Sequence, residues 1–344
     1  ASHADGVWSM SLWRVLGGLG FGAAYANTLA MAGEWMPERF RPVAVSTLSV
    51  GTPIGGSVVG WLAPGLAATY GWRGTFVIFG FTTLLLVVII LALLRDSPSF
   101  LLARGKTDAA TRAARHVLTE DVPLIADTHV TDVQDGPAIG VLHPSNMRLN
   151  IGIGLAFAAS ALVAYGILNW STTFLTQSGF TLEQAGKTMS VAGITSMVGS
   201  IAAGIFTRRL GSRFVMFTIS GTLLLLLIAL AVAVEALPAA PDAGERALVV
   251  TLVGASAAFF SAAISTMYVI MVFGYPQSCR SAGIGFGIFM SRVGAIGASG
   301  LGGALLDYGA GSVIPFFAVL SVGASLISAA VFVIDRHVPA ARMV

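Results

Sequence analysis

Arg292 poses the sharpest chemical question in this sequence, standing eleven residues into an apolar stretch that runs from about 281 to 306. A guanidinium at mid-depth of a membrane span costs about 2.5 to 3.5 kcal/mol even on insertion scales, so something must compensate it. Its planar fork of N–H groups matches a carboxylate through two parallel hydrogen bonds. A carboxylate arriving from water would satisfy it. So would an internal ion pair, or backbone carbonyls that brace two helices, and the residue type alone leaves both readings open. Tyr165, Asn169 and Trp170 fall together in another apolar stretch. They offer a hydroxyl, an amide and an aromatic face, groups that stack a ring and bind its substituents. Trp170 lies near the end of its stretch, where an interfacial belt residue is equally expected. Nearer the amino terminus, Arg14 opens the small-residue run Arg14-Val15-Leu16-Gly17-Gly18-Leu19-Gly20-Phe21-Gly22-Ala23-Ala24, with Tyr25 and Asn27 following it. It faces a bundle interior, or it snorkels to the interface. Glu34, close to the end of the same stretch, is placed to accept a proton or to pair with Arg39 or Arg41.

The composition dictates what kind of element positions these groups. Hydrophobic residues make up 56% of the 344 and charged residues 10%, with a mean hydropathy of +0.84. A soluble domain carries roughly 25% charged residues, so lipid must cover much of this chain. The 41 glycines follow no collagen-like period and suit closely packed membrane helices. The net charge of +3 is no nucleic-acid footprint, because the basic residues sit in short clusters between apolar runs. Cys279 is the sole cysteine, which excludes an intrachain disulfide and a cysteine-based zinc site.

A bilayer is crossed by about 20 mostly apolar residues, and nine stretches qualify: roughly 10–34, 43–69, 73–94, 149–176, 182–206, 212–236, 246–272, 281–306 and 312–335. Continuous rather than alternating runs predict helices and not a barrel, giving an all-α integral membrane protein. With the Arg39–Arg41 loop inside, fourteen of the nineteen basic residues lie on the cytoplasmic side. They are Arg39, Arg41, Arg95, Arg104, Lys106, Arg112, Arg115, Arg148, Arg208, Arg209, Arg213, Arg280, Arg336 and Arg342. Only Arg73, Lys187 and Arg246 lie opposite. Basic loops stay inside, so the expectation is a multi-pass cell-membrane protein with a cytoplasmic carboxyl end. The polar segment 95–148 divides three spans from six and reads as a cytoplasmic linker, helical over Ser97–Leu118 and loosely ordered over Thr119–Gly140.

Two patterns lead nowhere. Gly18, Gly20 and Ala23 satisfy a loose dinucleotide spacing without the preceding strand it needs, and Gly105-Lys106-Thr107 lacks the earlier glycine of a phosphate loop, where Phe100 stands. His3, His116, His129, His143 and His337 are scattered outside the spans, so no metal site or cofactor is expected.

Several blocks carry a family likeness. They are the run after Arg14, Glu34-Trp35-Met36-Pro37 with Arg39 and Arg41, Gly71-Trp72-Arg73 with Phe76, Ser97-Pro98-Ser99-Phe100-Leu101-Leu102-Ala103-Arg104-Gly105, and Asn169-Trp170 with Gly179-Phe180-Thr181 and Ala185. The most specific runs from Tyr275-Pro276 through Arg280-Ser281-Ala282-Gly283-Ile284-Gly285 to Ser291-Arg292-Val293-Gly294-Ala295-Ile296 and Gly302-Gly303. Together they resemble the major facilitator superfamily and, within it, the aromatic acid:proton symporters. The resemblance implies helices four to twelve of a twelve-helix fold, with 1–94 a partial amino-terminal half, 95–148 the linker and 149–344 the six-helix carboxyl half. The chain opens at Ala1 without methionine, and three helices are expected to precede it. The implied function is proton-coupled symport of small organic, aromatic carboxylates by alternating access, not an enzymatic reaction. Arg292, Asn169, Trp170, Tyr165 and Asn27 would bind substrate, and Arg14 and Glu34 would serve a proton and charge network. The partners would be an organic anion, a proton and the bilayer. A carrier of sugar acids or dicarboxylates with the same fold, or a non-transporting remnant, is the alternative. One departure stands out: Gly204-Ile205-Phe206-Thr207-Arg208-Arg209-Leu210-Gly211 places Arg208 where the family has an aspartate, which puts an ionic latch there in doubt.

Overall fold

A computed structural model describes residues 2–37, 39–94, 96–103, 105–114, 140–238 and 241–340. Arg95, Arg104, Arg115, Arg342 and nearly all of the segment expected to be loosely ordered lie outside these. The helices are α1 Val7–Trp35, α2 Arg41–Ser49, α3 Gly51–Leu93, α4 Pro98–Ala103, α5 Thr107–Ala114, α6 Met147–Gln177, α7 Leu182–Leu210, α8 Ser212–Glu235, α9 Ala243–Gly274, α10 Arg280–Tyr308 and α11 Ile314–Val333. Among the described residues eight helices are long and apolar enough to cross a membrane, and there is no strand. The remaining expected span, 43–69, is helical through α2 and the start of α3. Two compact units form: Ala1–Trp35 with Ile54–Ile139, and Met36–Pro53 with Gly140–Val344.

In the first unit, an unbroken α3 would be about 65 Å long at 1.5 Å per residue, longer than a bilayer is thick. Gly71 divides it, with φ 67° and ψ 172°, a conformation that a side chain would oppose. The residues after it secure the turn. Arg73 stacks over the Trp72 ring at 4.7 Å and donates a 2.9 Å hydrogen bond to the Ala4 carbonyl, next to the start of α1. At the other end of α1, Trp35 packs against Leu101, Ala110 and Ala113, so the short helices α4 and α5 bury their apolar sides there. That agrees with the helical spacing read from Ser97 onward.

The second unit is the better packed. Capping boxes open α7 (Thr181 with Gln184) and α9 (Asp242 with Glu245), satisfying amide groups that the first helical turn leaves bare. Arg208 and Arg209 close α7, favourable against the negative end of its dipole. Within this unit α7 packs on α9, α6 on α10 and α11, α8 on α11, and α2 on α7. Lipid supplies no hydrophobic force between helices, so close approach and hydroxyl bonds hold them. Gly199 lies against the Ala258 carbonyl and Gly294 against the Ala158 carbonyl, with no room for a Cβ at either. Thr195 Oγ1 donates to the Gly254 carbonyl at 2.6 Å, and the Ser200 and Ser261 hydroxyls meet at 2.8 Å.

Arg208, the departure noted in the sequence, has its guanidinium 4.3 Å from the centre of the Phe40 ring, just ahead of α2. A cation–π contact thus stands at the position where the sequence had put an ionic latch in doubt.

Candidate functional site

Four of the expected residues meet along the seam of α6 and α10. These two helices run parallel, since Asn146 ahead of α6 neighbours Cys279 ahead of α10. Side chains at matching heights therefore meet across the seam. Arg292 Nη1 donates to the Tyr165 hydroxyl at 2.9 Å. One turn further along α6, Asn169 Nδ2 donates to Ser299 Oγ at 2.9 Å. Trp170 Nε1 donates to the Ala298 carbonyl at 3.1 Å, and its ring lies on Gly302 and Gly303, where a Cβ would collide with the indole. Below this polar row, Gly294 and Ala158 bring the two backbones together.

Burial separates the roles. Arg292, Asn169 and Ser299 are exposed on the surface of the unit, and Tyr165 is half-buried. Arg292 is thus not sealed inside the unit, as its depth in the sequence suggested. It stands near the middle of α10, exposed and bonded to the Tyr165 hydroxyl. Trp170 is half-buried and its indole is consumed by α10, so it braces the seam and holds Asn169 in register.

The other expected residues belong to the first unit. Asn27 bonds back to the Ala23 carbonyl of its own helix at 2.9 Å and is exposed, as is Arg14. Tyr25 stacks on Phe21 with centroids 5.4 Å apart. Glu34 accepts a hydrogen bond from Ser97 Oγ, and that oxygen also accepts the Phe100 amide at 3.2 Å, starting α4. Glu34 therefore docks the start of α4 onto α1.

Sequence reading missed a second polar cluster at the Arg-rich end of this unit. Arg336 Nη1 donates to Asn146 Oδ1 at 3.0 Å and to the Gly274 carbonyl at 2.7 Å, while Nη2 reaches the Ser145 carbonyl at 2.9 Å. Tyr275 donates to Asn150 Oδ1 at 2.6 Å; burial pushes its phenol well above the usual range, so it stays a donor. Gly283 is needed beneath that ring, which a Cβ would strike. Arg280, expected in a cytoplasmic loop, is buried at the start of α10. The Tyr275-Pro276 and Gly283 motif was visible in the sequence, but its partners Asn150 and Asn146 carry no local signal.

An all-helical bundle with many spans and a polar row on one helix seam defines a multi-pass membrane protein. The chain matches the Major Facilitator Superfamily profile over residues 1–296, and it belongs to that family. It is 26% identical to the benzoate transport protein of Acinetobacter baylyi over 295 residues, 83% of this chain and 60% of that protein. It is 23% identical to the 4-hydroxybenzoate transporter PcaK of the same organism over 315 residues, 89% of this chain and 66% of that protein. The chain thus spans about two thirds or less of the length of these relatives. The proton:xylose symporter XylE superposes with a TM-score of 0.72 over 94% of this chain and 70% of its own, at 17% identity, and shows the shared fold.

Proposed function

We propose that this chain serves a secondary active transporter that carries small aromatic carboxylates with protons across the cell membrane. The observation that carries the reading is the exposed Arg292, held by Tyr165 at mid-height of α10 with Asn169 and Ser299 one step away. A guanidinium supplies the two-pronged fit to a carboxylate. Amide and hydroxyl groups beside it suit ring substituents. Benzoate and 4-hydroxybenzoate, the compounds in the relatives' names, have this combination of carboxylate and ring.

Alternating access would move the two halves of such a fold around this row. Glu34 and Arg14 are the visible candidates for the proton and charge network, and Asn27 for a further substrate contact. In orientation, the Arg-rich end of the second unit would face the cytoplasm, with the carboxyl end there too.

The test is counterflow in proteoliposomes. Vesicles loaded with benzoate should accumulate labelled benzoate, and an inward proton gradient should accelerate uptake. Preference for a sugar acid or a dicarboxylate over benzoate would refute the aromatic assignment, and indifference to the proton gradient would refute the coupling.

A further inference from the structure

We infer that the seam between α8 and α11 binds one anionic phospholipid, its phosphate held by Arg213 and its acyl chains laid along the two helices. This rests on the membrane-spanning fold and is independent of which solute is carried. At the Arg-rich end the seam opens into a hollow of about 570 Å³, bordered by Arg213, Phe214, Phe217, Phe332, His337 and Pro339. The three aromatic rings are 60%, 52% and 61% exposed in chain order, a large apolar area that water would disfavour. Phe217 and Phe332 meet edge to face across the seam at 6.1 Å, and the Arg213 guanidinium lies 6.0 Å from the centre of the Phe332 ring. Arg213 is exposed, so its N–H groups remain available above a greasy wall.

The floor of the hollow is built rather than incidental. Past α11 the chain returns to the turn between α7 and α8, where Ser212 N donates to the Val338 carbonyl at 2.9 Å and Val338 N donates to Ser212 Oγ at 2.8 Å. Gly211, with φ +81°, allows this approach, since a Cβ there would lie 3.1 Å from the Val338 carbonyl oxygen.

The seam also has a direction. Exposed Ile228 and Val232 on α8, at helical spacing from Phe214 and Phe217, continue the apolar surface toward the far end. There a second hollow of about 450 Å³ is lined by Ile228, Val232, Glu235 and Phe317. Glu235 is a carboxylate already engaged by Ser312 Oγ and Val313 N, both at 3.0 Å. A phosphate is repelled at that end and attracted at the Arg213 end. One lipid orientation follows, with its headgroup beside Arg213 and its chains running toward Glu235.

Native mass spectrometry of the purified chain, supplied with phosphatidylglycerol or phosphatidylcholine, tests this. The parent should retain one phosphatidylglycerol in preference to phosphatidylcholine. Arg213→Gln should lower that retention about fivefold, the weight of one basic residue beside an anionic leaflet, while Arg213→Lys keeps most of it. Phe217→Ser should lower retention of both lipids. Arg246→Gln, at the opposite end, should change neither. Glycerol 3-phosphate and benzoate should displace nothing, because each lacks the acyl chains. Equal retention of the two lipids by the parent, or unchanged retention in Arg213→Gln, overturns the assignment. Displacement by glycerol 3-phosphate would reduce it to a free-phosphate site, and displacement by benzoate to a solute site.

Discussion

Arg292 and Trp170 show how far a residue's type can be read before its neighbours are known. An arginine within an apolar stretch had to have a polar surrounding, and Tyr165 supplies part of it. What the sequence left undecided was brace or ligand, because that turns on which face of α10 the residue occupies. The same limit applied to Trp170, whose indole is spent on Ala298, Gly302 and Gly303. Since Arg292 is exposed and its bonded partner is neutral, Arg292→Ala strands no buried charge. The expected outcome is normal folding with benzoate binding weakened at least about tenfold, as a hydrogen bond to a charged group is worth about 1.5 to 3 kcal/mol. Lysine should rescue only partly, because a point charge lacks the fork. Trp170→Phe should do the reverse, costing about 1 kcal/mol of stability for the lost bond to Ala298 and sparing affinity. Calorimetric binding and thermal melting on each variant separate the two. A variant at 292 that binds normally but melts early would make Arg292 a brace.

At the scale of elements, helix positions were legible because apolar runs of membrane length have few other fates. Interruptions were also legible where glycine and charge coincide, as at Gly71-Trp72-Arg73. Partner helices were not, since small residues signal close approach without saying to what. Gly294 and Gly285 give a direct comparison within α10. A Cβ at Gly294 collides with the Ala158 carbonyl, whereas one at Gly285 meets nothing within 4 Å. Gly294→Ala should destabilise by about 1 to 3 kcal/mol through overpacking. Gly285→Ala should be neutral or stabilise by about 0.4 to 1 kcal/mol by restricting the unfolded chain. Equal melting temperatures for the two variants would remove the close α6–α10 approach as a source of stability.

The returning tail after α11 has its own pH signature. His337 sits half-buried with Nε2 3.0 Å from the Val331 carbonyl and Nδ1 3.2 Å from Ser212 Oγ. The carbonyl only accepts, so Nε2 carries the proton and Nδ1 accepts from the serine. Burial lowers its pKa below 6.5, reinforced by Arg213 on α8; the Val331 and Ile334 carbonyls and Asp335 pull it upward and do not prevail. The fold therefore prefers neutral His337. Its contribution is complete above pH 6.5 and is lost as pH falls from there through the lowered folded value. The melting temperature of the parent should fall more steeply below that pH than that of His337→Gln. Parallel curves would show that this histidine is not coupled to folding.

For the molecule as a whole, the second unit separates its charges by end, and that separation carries the last prediction. Arg148, Arg208, Arg209, Arg213, Arg280 and Arg336 gather where α6, α8 and α10 begin and where α7, α9 and α11 end, with Asp335 the acid among them. The opposite ends carry Glu235, Asp242, Glu245 and Asp307, with Lys187 and Arg246. The asymmetry was legible in the sequence because loop charges need no knowledge of packing. It matters physically because basic loops resist translocation, so the Arg-rich end should stay in the cytoplasm. Cys279 is the sole cysteine and is buried, which makes a Cys279→Ser background clean for labelling. In it, Arg209→Cys places an exposed thiol at the Arg-rich end and Gly244→Cys one at the other. A membrane-impermeant maleimide added to intact cells should modify residue 244 and spare residue 209, and permeabilisation should expose both. Each substitution removes at most one of the charges that set the asymmetry, so neither should invert the protein. Labelling of 209 but not 244 in intact cells would reverse the orientation. It would also place the inferred Arg213 lipid site in the outer leaflet.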